Sequence, residues 1–195
     1  MRALPAVVRL AAMLGFLGAI PASAHWKLEQ DVELPSYAVI EPESSDLNID
    51  SVVLACEEAG DARVLQLQIY LSTDGPLLLK GATPQQLKDD PRAEIVIDGR
   101  VFPVGLLFAD TYAVLAEETN QMFPRLSERL IDAMTTGRIM VLRFDLLAEH
   151  AGQPASFDGE AVIALHSVSG GATVSAVRRC ATMTVGAASA GLDRR

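Results

Sequence analysis

Between Arg63 and Leu71 the chain reads RVLQLQIYL, with apolar and polar residues alternating almost throughout. Successive side chains of a strand point to opposite faces. Leu65, Leu67, Ile69 and Leu71 therefore fall on one side, with Gln66, Gln68 and Tyr70 on the other. The pattern predicts a half-buried strand, which Asp74-Gly75-Pro76 ends in a turn. Upstream, Ile49 to Cys56 is a second strand candidate. Glu57 to Ala62 (EEAGDA) makes a short connection through Gly60, and the two strands predict an antiparallel hairpin.

A second hairpin is nearly spelled out by Glu94 to Ile97, Asp98-Gly99 and Arg100 to Pro103. Asp-Gly tolerates the positive φ that a type I′ turn requires. Pro103 lacks an N–H, which assigns the second arm to an edge or a strand end. Lys80 to Arg92, with Pro84 and Pro91, reads as a surface loop, and the segment 106–118 fits either strand or helix. Ser127 to Thr136 predicts a helix. Leu130, Ile131 and Met134 share a face with Leu126, Ser127 can cap the N-terminus, and Gly137 stands at C′. The run IMVLRFDLL up to Leu147 has few polar residues and predicts a central strand covered on both faces. Ser156 to His166 is strand-like with a bend at Asp158-Gly159. Ala172 to Ala181 places Val174, Val177 and Ala181 at helical spacing, with helix against strand left open there. The whole predicts a mainly β fold, an antiparallel sandwich-like domain with one or two helices added near the C-terminus.

The start of the chain bears on where this domain works. Arg2 and Arg9, the apolar run Leu10 to Ile20, Pro21 and Ala22-Ser23-Ala24 have the order of a secretory signal peptide over residues 1–24. The run is too short to span a bilayer, and no later segment reaches that length. Residues 25–182 then form a single β-rich domain and 183–195 a flexible tail. Loss of the leader takes the net charge from −9 to −11. Such an acidic balance argues against nucleic acid, which is bound by clustered Lys and Arg. Ten acids and no Lys or Arg lie between Leu28 and Ala62, a segment suited to a basic partner or to solubility. Cys56 and Cys180 are the only two cysteines, so an oxidising compartment predicts one disulfide between them.

Chemistry is sparsely marked. The chain has no G-x-S-x-G, H-E-x-x-H, G-x-G-x-x-G or P-loop, which assigns no catalytic residue and no cofactor. Two metal readings are available. After cleavage His25 becomes the N-terminal residue, and its amine and imidazole, joined by His150 or His166, would give copper a nitrogen site. Asp46, Asn48, Asp50 and Glu57 have the spacing of oxygen ligands in a calcium loop, although Ser51 stands where such a loop places Gly. A turn leading into a strand accounts for the same residues.

Further along, Trp26 lies close after the leader, IVIDGR runs from Ile95 to Arg100 and LIDAMTTGRIMVLRF from Leu130 to Phe144. AVRRC then ends at Cys180. This order resembles the invasion-associated locus B type of proteobacterial periplasmic protein, over the latter half of the chain. The chain departs from it in having no further cysteines around the middle hairpin. The resemblance implies a β-rich, non-enzymatic envelope protein and carries over no functional residue. The expectation is an exported, periplasmic or secreted binding or accessory protein without catalysis, with an unidentified protein or envelope component as partner. The alternative is a copper protein that uses His25.

Overall fold

The computed structural model describes residues 25–29, 37–109, 111–119, 123–148, 156–166 and 170–182. Residues 1–24 and 183–195, expected as leader and tail, and His150 with the loop around it lie outside the described residues. Ten strands lie among the described residues: β1 (Lys27–Glu29), β2 (Tyr37–Ile40), β3 (Ser44–Ser45), β4 (Ile49–Ala59), β5 (Ala62–Leu71), β6 (Leu87–Ile97), β7 (Arg100–Phe108), β8 (Tyr112–Ala116), β9 (Ile139–Leu147) and β10 (Gly159–Ala164). Helix α1 (Glu128–Thr136) precedes β9, and α2 (Gly170–Ala181) follows β10. The fold is mainly β and antiparallel throughout, with two helices late in the chain.

All ten strands belong to one curled sheet, in the order β1-β2-β4-β5-β8-β7-β6-β9-β10-β3. Strand β7 makes the corner. Its first half pairs with β6 from Arg100 to Val104, and its second half pairs with β8 from Gly105 to Phe108. Pro103 falls in the half that β8 does not reach, so its missing N–H leaves no gap in that ladder. The far end of the sheet returns to its beginning through the chain itself. Glu43 and Asp46 donate backbone N–H bonds to Val162 and Glu160 of β10, and the same segment runs on into β4. One core cluster takes Leu54, Leu67 and Ile69 from one half of the sheet, Ile95, Leu142 and Phe144 from the other, and Leu130, Val174 and Val177 from the helices. Trp26 belongs to it and is buried.

The hairpin turns follow the sequence closely. Ile97 pairs with Arg100 across Asp98-Gly99, and both turn residues have positive φ, +47° and +83°. The Asp98 carboxylate accepts the N–H groups of Ile139 and Arg138, so the turn also holds the start of β9. Those backbone bonds, first from Ile139 and then from Arg138, keep its carboxyl below the usual range. Asp98→Gly keeps the turn geometry and removes the carboxylate. It is expected to raise hydrogen exchange at the Arg138 and Ile139 amides while the hairpin ladder stays protected; unchanged exchange at those amides would refute the cap.

Three expectations are corrected, and the open choice between strand and helix over 106–118 is decided. Residues 87–92, expected in a loop, extend β6, with a register irregularity between Leu87 and Arg92 that accommodates Pro91. The ambiguous stretch 106–118 supplies the end of β7 and all of β8. Gly137 ends α1 in an extended conformation, φ −73°, and not in the left-handed one. Close packing explains the glycine there, because a Cβ would lie 2.4 Å from Ile97 Cγ2 and 2.7 Å from the Ala133 carbonyl oxygen. Strand β9 is interior in the sheet order but unevenly covered: Met140, Leu142 and Phe144 are buried on one face, while the other runs from Ile139, half exposed, to the buried Asp145. Helix α1 is capped by the Ser127 hydroxyl, which accepts from Leu130 N.

Candidate functional site

The outward face of β2, β4, β5 and β8 gathers all three tyrosines of the chain. Along β4, Val52, Leu54 and Cys56 enter the core, which turns Ser51, Val53, Ala55 and Glu57 outward. Register does the rest. Tyr37 lies opposite Ala55, Val53 opposite Val39 and Gln68, and Ser51 opposite Tyr70. Tyr70 in turn lies opposite Tyr112, and the two rings stack with centroids 5.4 Å apart and planes at 24°. A cleft of about 440 Å³ opens on this face, with Val39, Val53 and Ala55 among its apolar lining and Tyr37, Tyr70, Gln68 and Glu57 among its polar lining.

Polar groups in the cleft are linked. The Tyr70 hydroxyl donates to Gln68 Oε1 at 3.3 Å, and Gln68 Nε2 donates to Glu57 Oε1 at 2.8 Å. Gln68 is only 3% exposed and Gln66 8%, although alternation put both on the solvent side. Gln66 is covered where its amide donates to the Pro124 carbonyl, at the end of a segment that folds back over β5. Burial pushes the Tyr70 phenol above its ordinary pKa, and Tyr112, Glu57 and Tyr37 around it push in the same direction. Tyr70 is therefore an uncharged phenol across the physiological range.

The residues expected from sequence are placed as follows. Cys56 at the end of the buried part of β4 and Cys180 in the last turn of α2 form the disulfide. His25 is exposed and lies two residues before the start of β1, while His166 is exposed beyond β10 and its backbone N–H donates to the Arg138 carbonyl. No group of three or more His, Cys, Asp or Glu with metal-holding geometry occurs among the described residues. Of the calcium quartet, Asp46 accepts from Glu160 N and Asn48 accepts from Leu78 N, so both tie the closure segment to its neighbours. Asp50 and Glu57 sit near opposite ends of β4, about 20 Å apart at strand rise, and the quartet does not converge. The acids of the Leu28 to Ala62 segment likewise take separate roles: Glu58 pairs with Arg63, and Glu57 lines the cleft.

A second groove, of about 520 Å³, runs between α1 and the Asp98-Gly99 turn. Its charges are already engaged within the protein. Asp132 is paired with Arg178, Arg129 with Glu117, and the guanidinium groups of Arg100 and Arg129 each lie about 5 Å from the Phe102 ring. The tyrosine cleft is the better candidate because its acid has no such counterion among the described residues. Compared with known proteins, the chain matches no family model, no curated protein and no solved structure. The site must be read from its own chemistry.

Proposed function

We propose that the chain is an exported, non-catalytic binding or accessory protein of the bacterial envelope, working in the periplasm through the tyrosine cleft. The observation that carries this reading is the cleft: tyrosine rings and an apolar lining, with a few linked polar groups, are the composition of a ligand site. Tyr and its neighbours provide rigid contact area at low entropic cost. Glu57 is held by an amide and not by a hydroxyl or an imidazole, an arrangement that orients the carboxylate and activates no nucleophile. The disulfide supports export, since such bonds persist in oxidising compartments. No described helix is long and apolar enough to cross a membrane. The resemblance to invasion-associated locus B type proteins belongs to the same reading and adds the envelope as its setting.

The test is native mass spectrometry of the full chain expressed with its leader in a Gram-negative host and recovered from the periplasm without reductant. The expected species begins at His25 and is two hydrogens lighter than the reduced chain. Retention of residues 1–24 in a cytoplasmic fraction would remove export. A stoichiometric copper ion that is lost in His25→Ala would replace the reading with the copper alternative.

A further inference from the structure

Glu57 stands apart from the other sheltered acids of this protein. Glu94 faces Arg143, Glu117 faces Arg129, Glu118 faces Arg125, and Asp145 faces both Lys88 and Arg92. Asp158 accepts backbone N–H groups from Leu146 and Leu147. Glu57 is half-buried, lines the cleft, and has a neutral amide as its hydrogen-bond partner, with no cation beside it among the described residues. Lys27, opposite Val39 on the exposed edge strand β1, is not part of the cleft lining. A carboxylate sheltered from water and lacking a counterion favours a cation supplied from outside.

The aromatic groups point the same way. Tyr37 and Tyr70 both line the cleft with Glu57, and Tyr112 backs the Tyr70 ring. The faces of such rings carry the negative part of the aromatic quadrupole and attract ammonium groups, most strongly when the cation is desolvated. Apolar contacts from Val39, Val53 and Ala55 suit the alkyl part of the same ligand. An anion would meet the Glu57 carboxylate with no Lys, Arg or His among the lining residues to offset it, and a neutral ligand would leave the carboxylate charge unanswered.

We infer that the tyrosine cleft binds an organic ammonium group, with Glu57 as its counterion and the Tyr37 and Tyr70 rings as its aromatic walls. This rests on the reading of the cleft as the binding surface. The chemistry covers a small amine as well as the cationic end of a larger envelope molecule.

Choline and its neutral carbon isostere, 3,3-dimethylbutan-1-ol, separate charge from shape. Both are titrated calorimetrically into the oxidised protein and into Glu57→Gln, which keeps an oxygen for Gln68 Nε2 and removes the charge. Tyr37→Ala and Tyr70→Ala are titrated alongside once each is shown to melt like the wild type. Choline is expected to bind saturably and about tenfold or more tightly than the isostere. Glu57→Gln should weaken choline by about tenfold and leave the isostere unchanged, and loss of either ring should weaken both probes. Equal binding of the two probes, lost in Tyr70→Ala, would overturn the ammonium assignment while the cleft remained the binding surface. Choline binding that ignores Glu57→Gln and both tyrosine substitutions would overturn the cleft as well. Absence of saturable choline binding would also overturn the ammonium assignment.

Discussion

Replacing both cysteines, Cys56→Ala with Cys180→Ala, is expected to lower the melting temperature by about 10–20 °C. The sequence separation of the pair is 124 residues. In the chain-entropy model a loop of that size removes enough unfolded-state freedom to stabilise the fold by roughly 4–5 kcal/mol. For a domain of this length each kcal/mol moves the midpoint by about 2–4 °C. The bond also has a local role, because it fastens the last turn of α2 to β4, in a core where Val174 and Val177 are fully buried. The double substitution avoids an unpaired thiol, so the change reports the cross-link together with the loss of two buried sulfur atoms. A thermal scan of oxidised wild type against the variant checks this, and a drop below about 5 °C would show that packing of α2 alone holds that end of the fold.

Asp145→Asn is the second large effect expected, a loss of about 2–3 kcal/mol. The Asp145 side chain is 1% exposed and receives Lys88 Nζ on one oxygen at 2.7 Å and Arg92 Nε on the other at 2.8 Å, with a further contact from Arg92 Nη2. Lys88 and Arg92 flank the irregular stretch around Pro91, so one carboxylate on β9 holds the part of β6 where the ladder is interrupted. Burial by itself would raise the Asp145 pKa, but hydrogen bonds from Lys88 and Arg92, and then their charges, outweigh it and hold the carboxyl below its usual range. The estimate sits below the full cost of breaking a buried pair because the Arg92 side chain is 51% exposed and regains water. A carboxyl whose pKa is lower folded than unfolded contributes fully above the ordinary Asp value of about 3.9, and loses that contribution as pH falls through the folded pKa. Urea denaturation should therefore show the wild type ahead of Asp145→Asn at pH 7 and converging with it in strong acid. A constant difference at every pH would mean that the ion pairs are not the cause.

The parts of the fold that were legible in the sequence are those governed by local rules. Alternation over Arg63 to Leu71 marks β5, Asp98-Gly99 supplies the two positive φ values of its turn, and Ser127 caps α1 at the expected residue. The disulfide followed from having two cysteines and one possible partner. What escaped depends on distant segments. Proline and charge in Lys80 to Arg92 suggested a loop, but pairing with β9 draws residues 87–92 into β6 around an irregularity that single-residue propensity does not reveal. Gln66 and Gln68 read as solvent-facing because alternation shows parity and not what lies above the outward face.

The cleft was hidden for the same reason. Tyr37, Glu57, Gln68, Tyr70 and Tyr112 come from four strands, and only the order β2-β4-β5-β8, with its register, brings them together. Glu57 was noticed in the sequence as the last residue of a calcium-like spacing, and the strand it occupies gives it different neighbours. One faint signal was present. All three tyrosines are at positions that alternate with core residues in strand-like stretches, an unusual use of the only phenols in a chain that is 5% aromatic.

The cleft can be located directly by a ring-13C tyrosine spectrum of the oxidised protein during a choline titration. With three tyrosines in the chain, every signal can be assigned by single Tyr→Phe substitutions. The Tyr37 and Tyr70 rings, and the Tyr112 ring stacked on Tyr70, are expected to shift together along one binding curve that moves to higher choline in Glu57→Gln. Tyrosine signals that stay still while choline binds would contradict this and place the ligand elsewhere on the protein.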